Sequence, residues 1–161
     1  MLGGRDYARA IEPLLAQAGG YARSILKSRD DAEDAVQTAA LRGLERIGSY
    51  DQARPFKGWW FAILRNCCID SLRRARRRPV SPLEGDVADE RISAPEPDWD
   101  GLDRALASLS DIHRQIVRLR YFGELSYAEI AEALSIPAGT VMSRLHHARQ
   151  ALAAHLEEHA R

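Results

Sequence analysis

The chain has 161 residues, 45% of them hydrophobic and 29% charged, a composition that builds a core and excludes disorder throughout. At that length it makes one domain of ordinary size or two small ones. Its 23 basic and 23 acidic residues cancel, which argues against a uniformly basic nucleic-acid binder, but the balance is uneven along the chain. Residues 1–78 hold 15 Lys/Arg against 9 Asp/Glu, residues 79–100 hold 1 against 7, and residues 101–161 hold 7 against 7.

In chain order, no basic-then-apolar leader opens the sequence, and charge-free stretches such as that between Glu12 and Arg23 are far too short for a membrane span. No membrane insertion is expected. From Asp6 to about Lys27 the positions Ala10, Leu14, Leu15, Ala18, Ala22, Ile25 and Leu26 suit one or two helices with a kink at Gly19-Gly20. Asp30-Asp31-Ala32-Glu33 supplies a cap for a helix running to Ile47, with Val36, Ala40, Leu44 and Ile47 as its buried stripe. Asp31, Asp34, Gln37, Thr38 and Glu45 then share a solvent face, which on physical grounds alone reads as an ordinary solvated surface.

Residues 54–78 begin with aromatics and end with five arginines in six positions. Tyr50, Phe56, Trp59, Trp60 and Phe61 concentrate five of the eleven aromatics around one helix start. Trp60, Ile63, Leu64, Cys67 and Leu72 are expected in its core. Exposed aromatics beside a basic run can stack on unpaired bases while the cations track the backbone. Arginines near a helix C-terminus also favour the helix dipole, but five exceed that need. Cys67 and Cys68, the only cysteines, exclude a disulfide framework and a zinc site of the usual spacing, which fits a reducing, cytoplasmic compartment. They are read as core fillers. The acidic strip 79–100, with Pro79, Pro82, Pro95 and Pro97, cannot bury enough apolar surface to fold alone and is read as a linker.

Beyond it, Leu102, Ala105, Leu106 and Leu109 form one apolar stripe, and Ser110 caps a helix carried by Ile112, Ile116, Val117 and Leu119 to a turn at Gly123. Ser126 with Glu129 three residues on makes a capping box, with Leu125 and Ile130 at the staple positions. That helix ends at about Leu134, and Pro137 opens the next. Val141, Leu145, Ala148 and Leu152 form the inner stripe of this last helix, while Thr140, Ser143, His147 and Gln150 face outward with Arg144 and His146 flanking. A short helix, a tight turn and a longer helix with a small polar face is a helix-turn-helix that can lie in a major groove. No alternating strand-like run occurs. The expected fold is all-α, with small helical domains at 1–78 and 101–161 joined by the acidic, Pro-rich linker 79–100.

Three motifs, in order, carry a resemblance. Asp-Ala-Glu-Asp-Ala-Val-Gln at 31–37, Phe-Lys-Gly-Trp-Trp-Phe-Ala-Ile-Leu-Arg-Asn at 56–66 with the arginine tail, and Leu-Ser-Tyr-Ala-Glu-Ile-Ala through His-His-Ala-Arg at 125–149 resemble bacterial RNA polymerase sigma factors of the extracytoplasmic-function group. The resemblance covers nearly the whole chain and implies a sigma-2 domain, a linker and a sigma-4 domain. It also implies promoter-specific transcription initiation with core RNA polymerase, with no enzymatic activity and no cofactor. By resemblance, Asp34, Gln37 and Leu41 meet the clamp helices of the largest polymerase subunit, the flap is a second contact, and an anti-sigma factor is a further candidate partner. Tyr50 and Asn66 match positions that take a base flipped from the minus-ten element, with Lys57, Trp59, Arg65, Arg73, Arg74, Arg76 and Arg77 along the same DNA track. Capturing flipped bases would hold DNA melted without ATP. Thr140, Met142, Ser143, Arg144, His146 and His147 fall where relatives read the minus-thirty-five element.

Met142 and His147 depart from the cations many relatives carry there, so the recognition helix is poor in fixed charge and the promoter sequence is not legible. A one-component regulator using the same helix-turn-helix would need a sensor domain or a dimerisation helix, and the N-terminal half shows a basic aromatic stretch instead. An enzyme is disfavoured because His113, His146, His147, His155 and His159 offer no metal spacing with carboxylates, and no activated nucleophile or glycine-rich phosphate loop is present.

Overall fold

Residues 3–78 and 99–160 are described by a computed structural model, and every regular element among them is helical. The first half contains α1 (Gly4–Ile11), α2 (Leu15–Leu26), α3 (Arg29–Arg46) and α4 (Phe56–Arg77). The second contains α5 (Trp99–Ala107), α6 (Asp111–Val117), α7 (Tyr127–Leu134) and α8 (Ala138–His159), with a wider π-type turn at Arg118–Phe122 after α6. The expected linker lies, apart from its last two positions, outside the described residues. None of the described helices is long and apolar enough to cross a membrane.

Several expectations shift in register. The first helical region breaks not at Gly19-Gly20, which α2 runs straight through, but at a 3-10 turn over Glu12–Leu14. Pro13 causes this, because it donates no backbone hydrogen bond and suits only a first turn. For α3 the cap is Ser28, whose hydroxyl accepts from the Asp31 N–H, rather than the acidic run. Its buried stripe is Ala32, Ala35, Ala39, Gly43 and Ile47; Val36 and Ala40 are half-buried and Leu44 is exposed.

The cause is close packing. Tyr7 of α1 lies across Gly43 so that a Cβ there would collide with its ring and hydroxyl. The Tyr7 hydroxyl donates to the Ala40 carbonyl at 2.7 Å and accepts from the Trp60 indole N–H at 2.9 Å. One buried hydroxyl thus ties α1, α3 and α4 together, and only small residues on α3 leave room for it. In α4, Trp60, Phe61, Ile63, Leu64, Cys67 and Cys68 are buried, whereas Leu72 is only half-buried because the arginine end of the helix extends past its neighbours. Ile112, expected inside, is 52% exposed. It lies in the first turn of α6, where Ile116 and Val117 take the inward positions.

The helix-turn-helix forms as its residues dictate. The Ser126 N–H donates to the Glu129 carboxylate at 2.7 Å and the Glu129 N–H donates to the Ser126 hydroxyl at 3.2 Å, closing both halves of the capping box. Ser135 adopts a left-handed backbone (φ 53°) that ends α7, and Pro137 is the N-cap of α8. Ile130, Val141, Leu145 and Ala148 are fully buried between them.

The apolar core is continuous across both halves. Along the seam between them α4 lies on α7 with Gly58 at the crossing. A Cβ at Gly58 would come within 2.5 Å of the Glu129 carbonyl oxygen. Arg54 pairs with Glu132 at 3.0 Å and Lys27 with Asp103 at 2.9 Å. Glu124, held at φ 55°, accepts from Lys57 on its carbonyl and from Gln17 on its carboxylate, each at 2.9 Å. Half-buried Arg118 lies beside Tyr21 and Cys68 of the other half, and its partial burial pushes its guanidinium below the usual range.

Candidate nucleic-acid interface

Three surfaces carry the residues expected to bind. On α3, Asp34, Gln37 and Leu41 all point outward, Leu41 being 65% exposed. They border a cavity of about 310 Å³ between α3 and the arginine end of α4, where Arg74 and Arg78 face Asp31 and Asp34. In its wall Arg42 donates to Asp70 at 3.1 Å and to the Cys67 sulfur at 3.6 Å. Burial pushes the Cys67 thiol up despite that cation, and pushes Cys68 up to about 12. Both cysteines are core groups kept as thiols.

The minus-ten candidates are not brought to one place. Tyr50, Phe56 and Trp59 form an aromatic cluster with centroids 4.9 to 5.6 Å apart, and the Tyr50 hydroxyl donates to the Arg54 carbonyl. Asn66 lies two turns further along α4, exposed, in a separate cavity of about 520 Å³. Tyr50 is not among the residues lining that cavity; Arg42, Arg46 and Arg73 are.

Arg73, Arg74, Arg76 and Arg77 are exposed, but two other expected cations are committed to the second half. Lys57 donates to the Glu124 carbonyl and sits 5.8 Å from the Phe61 ring centre, and Arg65 donates to the Gln115 side chain at 3.1 Å. The Arg65 Nε is buried without a partner among the described residues. Neither commitment is legible locally, because the groups that hold Lys57 and Arg65 are 67 and 50 residues away in sequence.

On α8 Met142, Ser143, His146 and His147 are exposed, while Thr140 and Arg144 are half-buried at the edge. Ser143 turns its hydroxyl back to the Thr140 carbonyl at 3.2 Å. The His147 ring lies 5.7 Å from His146 and 6.3 Å from His113 of α6. Sequence reasoning missed Arg149, one flank round from this face, whose Nε donates to the Tyr121 hydroxyl at 2.7 Å.

Residues 10–78 match the family "Sigma-70 region 2" and residues 100–152 match "Sigma-70, region 4". The chain is 39% identical to the ECF RNA polymerase sigma factor SigL of Mycobacterium tuberculosis over 146 residues, 86% of this chain and 81% of that protein. It is 34% identical to SigW of Bacillus subtilis over 80% of this chain and 76% of the relative. In fold it is similar to CnrH, solved with the cytosolic domain of CnrY (TM-score 0.72, 22% identity, 96% of this chain and 89% of that one). It is also similar to the sigma factor RpoE of Bartonella quintana, solved with the anti-sigma factor NepR (TM-score 0.70, 24% identity, 95% of this chain and 98% of that one). The chain therefore belongs to the extracytoplasmic-function sigma factors, a family of non-enzymatic initiation factors, and directs transcription initiation with RNA polymerase at promoter DNA.

Proposed function

We propose that the three surfaces divide the work of initiation. Asp34, Gln37 and Leu41 on α3 dock the clamp helices of the polymerase, combining acid, amide and an unpartnered leucine on one exposed strip. Tyr50, Trp59 and Asn66, with Arg73, Arg74, Arg76 and Arg77, capture bases flipped from the minus-ten element and track their backbone. Met142, Ser143, His146 and His147 read the minus-thirty-five element from the outer face of α8, with Thr140 and Arg144 at its edge. The observation that carries this reading is the exposure, on one helix, of an amide and an arginine tail beyond an aromatic cluster, with no side-chain hydrogen bond or ion pair to Asn66, Arg73, Arg74, Arg76 or Arg77 among the described residues.

In this reading 1–78 and 101–161 act as separable domains and the seam opens when core polymerase binds, because Lys57 and Arg65 reach DNA only after releasing Glu124 and Gln115. An anti-sigma factor is a natural partner for the closed arrangement, since CnrH was solved with the cytosolic domain of CnrY and RpoE with the anti-sigma factor NepR. Run-off transcription with purified core polymerase tests the whole scheme. Promoter-dependent transcripts lost on Asp34→Ala with Gln37→Ala, and a changed minus-ten preference on Asn66→Ala, are the expected results. Tight, specific binding of the isolated chain to duplex DNA without core polymerase would replace this reading with a regulator.

A further inference from the structure

Four of the five histidines lie on α8. His146 and His147 are neighbours in sequence, so their side chains leave the helix about 100° apart, and their ring centres are 5.7 Å from each other. His155 and His159 are four residues apart, on one face of the last two turns. Their ring centres are 4.1 Å apart with the planes inclined at 33°. Two imidazoles bound to one metal ion at right angles, with nitrogen–metal bonds of about 2.0 Å, place their ring centres about 4.5 Å apart. The His155–His159 pair therefore already stands near chelating separation, whereas His146–His147 and His113–His147, at 5.7 and 6.3 Å, do not.

A hydrogen bond fixes which nitrogen is free. His159 Nδ1 lies 2.8 Å from the His155 carbonyl oxygen. A carbonyl only accepts, so Nδ1 carries the proton and the neutral ring has its lone pair on Nε2. Metal-bound histidines are oriented in the same way, by donating the second ring nitrogen to a carbonyl or carboxylate. The surrounding charge also favours a cation. Glu157 and Glu158 are exposed in the last turn, where the free backbone carbonyls already make the helix end negative, and His159 is the one basic side chain of that turn among the described residues.

We propose that His155 and His159 chelate a divalent transition-metal ion, copper(II) or nickel(II) in preference to zinc(II), at the C-terminal end of α8. No group of three or more His, Cys, Asp or Glu is placed to hold a metal among the described residues, so the ion keeps water in its other positions. Two imidazoles at right angles with open positions suit a tetragonal ion better than tetrahedral zinc, whose sites use three or four protein ligands, and the affinity order of first-row ions peaks at copper(II). The ion bridges successive turns and braces the end of the helix whose other end carries Met142, Ser143, His146 and His147.

The test is titration of the full chain, without a histidine tag, with copper(II), followed by visible absorption and electron paramagnetic resonance. One ion per chain should bind with the spectrum of two nitrogen donors. His155→Ala and His159→Ala should each weaken binding by at least about tenfold. His159→Ala combined with Ala160→His keeps the histidine count but sets the pair five apart, about 140° round the helix, and should bind no better than the single variant. His147→Ala should bind copper(II) as the wild type does. All variants are compared at equal helix content by circular dichroism, which separates lost ligation from unfolding. Retention of the two-nitrogen spectrum in the displaced pair, or its loss in His147→Ala rather than in His155→Ala, would overturn the site. A wild-type chain that binds no ion would do the same and leave the two rings as a stacked pair only.

Discussion

The helix-turn-helix and the seam that fastens it to α4 are built on opposite terms. Between α7 and α8 the contact is apolar, with Ile130, Val141, Leu145 and Ala148 fully buried and both halves of the capping box closed. The seam contains Gly58 pressed on backbone, a strained Glu124, and ion pairs that reach solvent. The three buried side-chain atoms without a partner among the described residues, Gln17 Oε1, Arg65 Nε and Arg118 Nε, belong to residues of this seam. Each unsatisfied buried group costs about 1–3 kcal/mol. The difference teaches that the helix-turn-helix is closed by apolar packing and local caps, whereas the joint, through which the apolar core also runs, carries strained and unsatisfied polar groups besides.

The sharpest way to break that contrast is at its apolar side. Leu145→Ala should destabilise the second half by about 2–5 kcal/mol, since a fully buried leucine leaves a cavity that two helices cannot both close. Urea unfolding should show it, and a loss within error would mean that the α7–α8 contact is no better packed than the seam.

Gly58→Ala forces a Cβ onto the Glu129 carbonyl and the Glu132 side chain, and about 1–3 kcal/mol of strain is expected if the halves stay together. The joint should give way instead. X-ray scattering should then report a larger particle with unchanged helix content by circular dichroism. Cooperative unfolding of the whole chain would show that the seam is core.

Cys68 reports on the same joint, because it is buried beside Arg118 and Tyr21. Its thiol ionises near 9 in the unfolded chain and at about 12 in the folded one, so between those values the unfolded state holds fewer protons. Stability should therefore be fully present below pH 9 and fall as pH rises toward 12. With Cys67→Ala as background, thiol labelling at pH 8 should be slow and should quicken in Gly58→Ala.

The smallest effect belongs to Glu132→Gln. It removes the Arg54 ion pair, which is half in solvent on the arginine side, and should cost less than about 1 kcal/mol and vanish in high salt. A larger, salt-independent loss would move this pair from the rim of the seam to its foundation.

Many features that depend on residues within one or two helical turns are legible in the chain, although the break at Pro13 and the Ser28 cap, equally local, were expected at Gly19-Gly20 and at the acidic run. The Ser126–Glu129 box, the turn before Pro137 and the stripe Val141, Leu145, Ala148 are local matters of free N–H groups and helical period, and the structure has them where the sequence reading places them. The aromatic start and arginine end of α4 were equally plain.

Other departures were decided by a distant neighbour. Hydrophobicity favoured Leu44 and Val36 for the inside of α3, but Tyr7, 36 residues earlier than Gly43, needs a groove of alanine and glycine to lie in, and its hydrogen bond to the Ala40 carbonyl fixes which face turns inward. Tyr50 packs in the Phe56–Trp59 cluster, and Asn66 borders the arginine-lined cavity further along α4. The sequence by itself determined eight helices' worth of amphipathic pattern and the chemistry available on each outer face. Only the tertiary structure decided that Lys57 and Arg65 are occupied by Glu124 and Gln115. The reason is that a cation's partner is chosen by distance in space, and the helix period that makes local structure legible carries no information about which helix will lie opposite.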